Sequence, residues 1–265
     1  MISLLRPYIQ PSYLSRSFAN AFERSVVHLQ PGLLTIKNGL CPGLQTRLSK
    51  IALDFGEKGF WKTDDKGQRV LNSAPHRGRI YDAVKSFPPL VAEALQSNLE
   101  LAVQTDPTIR MVQATHLILL YYKTLPEAPA SGFIPWHQDN GDNDGDEDFP
   151  VVSFNIGDSC DFLINHVKPK IDSSHSFSDP ANLAHRVRFD SGDVMVFGGP
   201  SRHIWHAIYK IHENTAPDFL PFKGARLNFT FRYTPQILGK EADFATPSGA
   251  ELPRDNPFFK LSKMK

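Results

Sequence analysis

The sequence lacks the features that mark several specialised classes of protein. Its 265 residues include only two cysteines, Cys41 and Cys160, which provide neither a disulfide framework nor a CxxC metal site. We expect both to be small core residues in a reducing compartment. No apolar run reaches the roughly 18 residues that a membrane-spanning helix needs, so no membrane contact is expected. Lys and Arg total 29 against 28 acidic residues, which leaves no overall field to attract nucleic acid or anionic lipid.

What the chain does contain is typical of a globular protein. Hydrophobic residues make up 41% and charged residues 22%, which excludes general disorder. The length favours one domain, which we place at 26–237 in a monomer. Residues 1–25 form an N-terminal extension with several arginines and serines and one acid, a composition typical of organellar transit peptides, although Pro7 and Pro11 interrupt an amphipathic helix. A cytoplasmic or nuclear location is expected, with a mitochondrial one left open.

Hydrophobic periodicity predicts helices in the first half of the chain and strands in the second. Apolar residues recur at helical intervals over 43–53 and 89–104. Short β-type runs follow, separated by turn residues, at 117–122, 151–156, 186–189, 194–197, 204–209 and 227–233. This order predicts an α+β fold whose catalytic core, at about 114–237, is a sandwich or small barrel. Residues 238–265 are expected to form a loosely ordered C-terminal tail.

A candidate metal site begins with His137 and Asp139. Two residues apart on an extended segment, they share one face with about 6.5 Å between Cα atoms, and both can reach one ion. Two His and one carboxylate leave coordination positions open, as in non-haem iron(II) oxygenases. The third ligand must be a later histidine, and His206 is favoured because it lies in a row of isoleucines rather than in the polar connection at 166–185. Alone, the His-x-Asp pair is more typical of a surface strand, and His206 of a core histidine.

The strand at 226–233 alternates strictly between two faces. Arg226, Asn228, Thr230 and Arg232 share one face, and the other carries Leu227 and three aromatic residues. An ordinary amphipathic strand would turn its polar face to water. This strand has no acid to neutralise its guanidinium groups, and the two arginines lie about 20 Å apart along the backbone. Because a guanidinium binds a carboxylate with two parallel hydrogen bonds, the spacing favours a site for a small dicarboxylate.

Five ordered motifs between about 120 and 233 resemble those of the AlkB-like dioxygenases. They are His137-Gln-Asp139, Pro150 to Gly157, Ser191 to Gly199, Ser201-Arg-x-x-x-His206 and Arg226-x-Asn-x-Thr-Phe-Arg232. The resemblance implies a double-stranded β-helix (jelly-roll) core with the N-terminal helices packed on it. It also implies Fe(II), 2-oxoglutarate and O₂, and oxidative demethylation of N-alkylated nucleobases in DNA or RNA.

The same resemblance assigns roles to individual residues. His137, Asp139 and His206 are implied as iron ligands, and Arg226 as the partner of the distal carboxylate of 2-oxoglutarate. Asn228 and Arg232 are implied near its keto-acid end, with Tyr122 as a further contact. The family usually has an asparagine two residues before that tyrosine, where this sequence has Leu120.

Substrate contacts are expected from three segments. Trp61, Arg77 and Tyr81 lie where the family keeps its nucleotide-recognition lid, and stacking of a flipped or single-stranded base on either aromatic is chemically sensible. Asp142 and Asp144 follow the His-x-Asp motif, where the family keeps a carboxylate that contacts a cationic methylated base. Arg202 is expected to line the substrate side. The acidic loop at 139–148 is not an EF-hand, because that alignment puts Val151 where a bidentate Glu is required.

Three alternatives remain open from the sequence. A His₂-Asp zinc hydrolase would use the same triad, but it gives no reason for the arginine strand. A non-catalytic jelly-roll binding module would use the triad only structurally. The same oxidative chemistry could also act on a methylated protein side chain or another substrate that is not a nucleic acid.

Overall fold

The fold is that of a computed structural model, which describes residues 23–55, 88–111, 114, 116–123, 134–139, 149–167 and 185–233, and the backbone alone at 61–63, 69–71 and 79–81. Arg77, Asp142, Asp144, the first 22 residues and the tail predicted at 238–265 therefore lie outside the described residues. Within this part of the chain, no helix combines the length and the apolar character needed to cross a membrane.

The described elements are two helices and a series of short strands. In chain order they are β1 (Ser25–Gln30), β2 (Leu33–Lys37), α1 (Pro42–Phe55), β3 (Trp61–Thr63), β4 (Arg69–Leu71), β5 (Arg79–Tyr81), α2 (Pro89–Thr105), β6 (His116–Lys123), β7 (Ile134–His137), β8 (Val151–Gly157), β9 (Ser159–Asn165), β10 (His185–Phe189), β11 (Val194–Phe197), β12 (Trp205–His212) and β13 (Ala225–Arg232). A short 3-10 helix, Gly199–Ser201, precedes β12.

Two antiparallel sheets form the core. The larger sheet has the order β1-β2-β11-β8-β13-β6-β5 and the smaller one β10-β9-β12-β7, while β3 and β4 pair separately. Alternating residues on the central strands divide the larger sheet into two faces. Phe154, Phe229 and Phe231 pack in one buried cluster with residues of both helices, whereas Val151 and Phe197 pack with Phe162 and Ile208 of the smaller sheet. The architecture is the jelly roll that the sequence predicted.

Both predicted helices are present with slightly extended ends. Each begins at a proline. Proline is favoured at the first helical position because an N–H at that position would have no partner within the helix. Leu48 and Ala52 of α1 and Val91, Leu95 and Leu99 of α2 are almost fully buried in the cluster that includes the larger sheet. This buried stripe explains why the 3.6-residue periodicity was visible in the sequence.

The expectation that helices come before all strands is wrong. β1 and β2 precede α1, and β2 pairs with β11, so the chain begins by adding two strands to the larger sheet. β9 was also not predicted; only Asp158 separates it from β8. Cys160 is fully buried as expected, whereas Cys41 is partly exposed.

Candidate metal centre

Strand pairing brings the two predicted histidine ligands together. His137 is the last residue of β7, and His206 is its direct partner on the antiparallel strand β12. Their ring centroids lie 4.1 Å apart. Asp139 follows two residues after His137, and its Oδ1 lies 3.7 Å from Nε2 of His137 and 3.9 Å from Nε2 of His206. The three ligand atoms all lie within 4.8 Å of one another, in the arrangement predicted from the sequence.

The environment of His206 leaves one ring nitrogen available for a metal. The side chain is almost fully buried, with Phe162 stacked at 5.3 Å and Phe197 tilted at the same centroid distance. Burial lowers the pKa of His206 to about 4, so the imidazole is neutral at physiological pH. Its Nδ1 lies 3.2 Å from the carbonyl oxygen of Ile204 and must be the protonated donor. The lone pair of Nε2 is therefore directed to the side where Asp139 lies.

Asp139 is held as a carboxylate inside the protein. Burial by itself raises the pKa of this group, but the nearby charge of Arg232, followed by the two histidines and Arg202, lowers it below its ordinary value. Arg232 donates from Nη2 to Oδ1 of Asp139, and Arg202 donates from Nη1 to its main-chain carbonyl at 2.7 Å. The sequence prediction that neither strand arginine has an acid to neutralise it is wrong for Arg232, because Asp139 reaches it from the segment that follows β7.

This donor set fits a divalent transition metal. Two imidazole nitrogens and one carboxylate on one side of an ion are the 2-His-1-carboxylate arrangement of non-haem iron(II) sites. Among the described residues, no other group of His, Cys, Asp or Glu side chains converges in this way. His212 instead contacts Asp161 at 2.8 Å, and His166 contacts Gln30 at 2.8 Å on the surface. His175 lies outside the described residues.

The polar face of β13 points into a cavity between the two sheets. Arg226 is 1% exposed and Arg232 8%, so this face is not turned to water. The triad and this row line the cavity together with aliphatic side chains; the lining comprises His137, Asp139, His206, Arg226, Asn228, Thr230, Arg232, Ser153, Ile118, Leu120, Ile134, Val151, Ile208 and three phenylalanines. The metal ligands and the arginine strand therefore share one chamber.

Arg226 is a buried cation with unused hydrogen-bonding capacity. Its Nη1 donates to Oδ1 of Asn155 at 3.0 Å, and its Cζ lies 4.7 Å above the ring of Tyr122, its cross-strand partner. Its Nε is buried and has no hydrogen-bond partner among the described residues. A buried polar group without a partner is costly, so this position fits an anionic ligand such as a carboxylate of 2-oxoglutarate.

The other predicted 2-oxoglutarate contacts lie on the same wall, and their roles stay predictions. Asn228 donates from Nδ2 to Ser153 Oγ at 2.8 Å and to the Phe154 carbonyl at 3.1 Å, while its Oδ1 accepts from Thr230. Both of its amide hydrogens are thus already engaged. Leu120 is the cross-strand partner of Asn228 and adds an apolar side chain to the cavity.

Of the predicted substrate residues, only Arg202 has a described side chain. It is 2% exposed and bonds to the main chain of Asp139, and it does not line the cavity. Trp61 lies in β3 and Tyr81 in β5, where the backbone alone is described. Sequence reasoning missed Ser153 and Asn155, although alternation along β8 puts them on one face, opposite Phe154.

Comparison with known proteins agrees with this site. The profile of the 2OG-Fe(II) oxygenase superfamily matches residues 52–232. A DNA N(6)-methyladenine demethylase of Arabidopsis thaliana, ALKBH1C, is 25% identical over 232 residues, covering 77% of this chain and 49% of the relative. ALKBH1D of the same plant is 26% identical over 236 residues, covering 77% and 50%. The chain thus spans about half the length of these relatives.

A bacterial relative and a solved structure extend the comparison. An alpha-ketoglutarate-dependent dioxygenase, the AlkB homolog of Caulobacter vibrioides, is 28% identical over 172 residues, covering 65% of this chain and 63% of the relative. The structure of OsALKBH1 superposes with a TM-score of 0.61 at 20% identity, covering 79% of this chain and all of that chain. At this identity the structural likeness supports the fold alone.

Proposed function

Because the chain belongs to the 2OG-Fe(II) oxygenase superfamily, we propose that it is an AlkB-like dioxygenase that oxidatively demethylates N-methylated bases of nucleic acid. One observation carries the proposal. The triad of His137, Asp139 and His206 shares a cavity with Arg226, whose buried Nε has no partner among the described residues. A metal site and an anion site in one chamber are what a metal- and keto-acid-dependent enzyme requires.

Each part of this chamber has a defined task in the proposed reaction. His137, Asp139 and His206 would hold Fe(II), and Arg226 would bind the distal carboxylate of 2-oxoglutarate. Oxidation of a substrate C–H bond by O₂ is the chemistry that iron and 2-oxoglutarate supply when bound. Arg232 keeps Asp139 ionised, and the Ile204 carbonyl fixes the tautomer of His206. The aliphatic wall formed by Ile118, Leu120 and their neighbours excludes water from the reacting centre.

The nucleic-acid substrate is supported by the relatives rather than by overall charge. Two of them are DNA N(6)-methyladenine demethylases, and a third is an AlkB homolog. The net charge of +1 gives no general attraction for a polyanion, so a contact with a single strand or a flipped base must be local.

A direct assay tests this proposal. The purified protein, supplied with Fe(II), ascorbate and 2-oxoglutarate, is incubated with N-methylated DNA, RNA and peptide pools, and the products are analysed by mass spectrometry. We expect 2-oxoglutarate-dependent loss of methyl groups from a nucleic-acid pool and none with His137→Ala. Demethylation of peptides alone would retain the chemistry and replace the substrate. Turnover by His137→Ala equal to wild type would refute the metal-dependent mechanism.

A further inference from the structure

The segment of residues 198–204, which we call the clasp, contacts both chain segments that carry the candidate ligands. Arg202 donates to the carbonyl oxygen of Asp139 at 2.7 Å. The carbonyl of the next residue, His203, accepts a hydrogen bond from Nε2 of Gln138 at 2.5 Å. The carbonyl of Ile204 accepts from Nδ1 of His206. Three successive residues therefore fix the two segments relative to each other.

We propose that Arg202 is a positioning residue of the metal centre, and that the clasp is held in place by the hairpin of β1 and β2. This inference rests on the proposed metal site but not on the identity of the substrate. Arg202 does not touch the cavity, and its side chain is 2% exposed. It acts through Asp139, because its hydrogen bond fixes the main-chain carbonyl of that residue. Groups that orient metal ligands in this way set metal affinity without binding the ion.

The hairpin turn anchors the clasp through three hydrogen bonds. Gly198 donates its N–H to the carbonyl of Gly32 at 2.8 Å. Ser201 Oγ donates to the carbonyl of Pro31 at 2.8 Å and accepts from Nε2 of Gln30 at 2.7 Å. Within the clasp itself, Ser201 donates its N–H to the carbonyl of Gly198 at 2.9 Å. Ser201 is 1% exposed, so these bonds are shielded from water.

The close approach of the hairpin and the clasp depends on Gly32. Gly32 has a φ of +79°, and a Cβ at this position would overlap the carbonyl oxygen of Gly198. Its N–H donates to Oδ2 of Asp106 at 2.6 Å, which ties the turn to the end of α2. The superfamily profile matches residues 52–232, and β1 and β2 lie before that range. We infer that this chain stabilises its metal centre with an element outside the matched region.

Metal affinity of the full-length protein tests the role of Arg202. Mn²⁺, as an oxygen-stable substitute for Fe(II), is titrated into metal-free protein, and the metal-free melting temperature is measured in parallel. Arg202→Met is expected to weaken Mn²⁺ binding by about 10- to 100-fold, the range observed when partners of metal ligands are removed. Arg202→Lys keeps a hydrogen-bond donor for the Asp139 carbonyl and is expected to recover part of this loss. The matched control Arg188→Met removes a half-exposed arginine that bonds Asp190 and should leave affinity unchanged.

Several outcomes would overturn the inference. If Arg202→Met or, should that variant not fold, Arg202→Lys binds Mn²⁺ as tightly as wild type, Arg202 has no positioning role. Failure of the wild type to bind Mn²⁺ would instead refute the metal centre and, with it, the proposed function. Loss of affinity in the arginine variants while the wild type demethylates no substrate would keep the inference and reject only the function.

A second pair of variants tests the anchor. Ser201→Ala removes the bonds to Pro31 and Gln30 and is expected to weaken Mn²⁺ binding severalfold, since the clasp is then held less firmly. Thr46→Ala is the control, because Thr46 Oγ1 also bonds a carbonyl, that of Pro42 at 3.0 Å, within α1. Combined with Arg202→Met, Ser201→Ala should have a smaller effect than alone, because both act through the clasp. Equal affinity of Ser201→Ala and wild type would exclude the hairpin as an anchor.

Discussion

Replacement of Arg226 by methionine should lower ligand affinity without lowering protein stability. Arg226 is 1% exposed, and its described hydrogen bond is to a neutral amide, that of Asn155. A buried charge without a described carboxylate partner carries an uncompensated desolvation cost. Exchange of a buried ion pair for apolar side chains of similar volume is often neutral or stabilising by about 1–4 kcal/mol, and Arg226 has no described ion-pair attraction to lose. The ligand-free variant is therefore expected to melt at the same or a higher temperature than wild type.

The loss of 2-oxoglutarate affinity should be large. Truncation of one partner of a buried, hydrogen-bonded charge pair costs about 2–5 kcal/mol. At about 1.4 kcal/mol per factor of ten, the Kd for 2-oxoglutarate should rise by about 30- to 4,000-fold. Arg226→Lys keeps a positive charge but lacks the planar fork. Loss of one charged hydrogen bond, about 1.5–3 kcal/mol, should raise the Kd by about 10- to 150-fold.

Two measurements distinguish a ligand-binding arginine from a structural one. Isothermal titration calorimetry of the Mn²⁺-loaded protein under argon gives the Kd for 2-oxoglutarate, and thermal melting without ligands gives the stability. Arg188→Met serves as the control because Arg188 is 42% exposed and bonds Asp190 on the surface. A variant Arg226→Met that melts earlier and binds 2-oxoglutarate normally would show that the arginine is structural, and the cavity would need another ligand.

Three further predictions concern single side chains. Leu120→Asn places an amide on the cavity wall beside Asn228. One new hydrogen bond to 2-oxoglutarate, about 0.5–1.5 kcal/mol, should lower the Kd by about 2- to 10-fold. An unchanged Kd would show that this position does not reach the ligand. The pKa of Asp106 is lowered although burial opposes the shift, because Thr108, Gly32 and His28 donate hydrogen bonds to it. Its contribution to stability is therefore present above the unfolded pKa, about 4, and is lost on acidification. Asp106→Asn should cost about 3 kcal/mol at pH 7 and clearly less, but not zero, at pH 2, because pH 2 lies between the unfolded pKa and the lowered folded pKa. Urea unfolding measures both values, and an equal cost at both pH values would contradict the assignment. Burial raises the pKa of Asp158, although backbone N–H groups of Ala216, Thr215 and Asn214 oppose the shift. The contribution of Asp158 to stability is therefore present below about pH 4 and falls as the pH rises through the raised pKa. Asp158→Asn should remove this fall from the pH profile of stability. An unchanged profile would refute this role of Asp158.

Much of the fold could be predicted because its pattern is local. Leu227, Phe229 and Phe231 alternate with polar residues along β13. The apolar face of this strand packs with residues of both helices, and the polar face borders the cavity. His206 could be preferred over the other histidines because it lies in an apolar row. Residue types and spacing made the ligand set a candidate, the resemblance to the AlkB-like family implied it, and the structure brings its three members together.

The missing parts depend on contacts between residues distant in sequence. Arg232 and Asp139 are 93 residues apart, so the pairing of the guanidinium group could not be read from the strand itself. The contact of Arg202 with the Asp139 carbonyl could not be predicted either, because it depends on how two loops meet. β1 and β2 were missed because short strands carry little periodicity, and their place in the sheet is set by pairing with β11.

The pairing of His137 with His206 makes metal content an indicator of correct strand alignment. Side chains alternate along a strand, so a displacement of β12 by one residue against β7 would turn the imidazole of residue 206 away from the interior. Such a molecule would keep its secondary structure and most of its compactness while losing one donor of the ion. The iron-to-protein ratio of a purified preparation should therefore report the fraction of molecules whose smaller sheet has assembled in register.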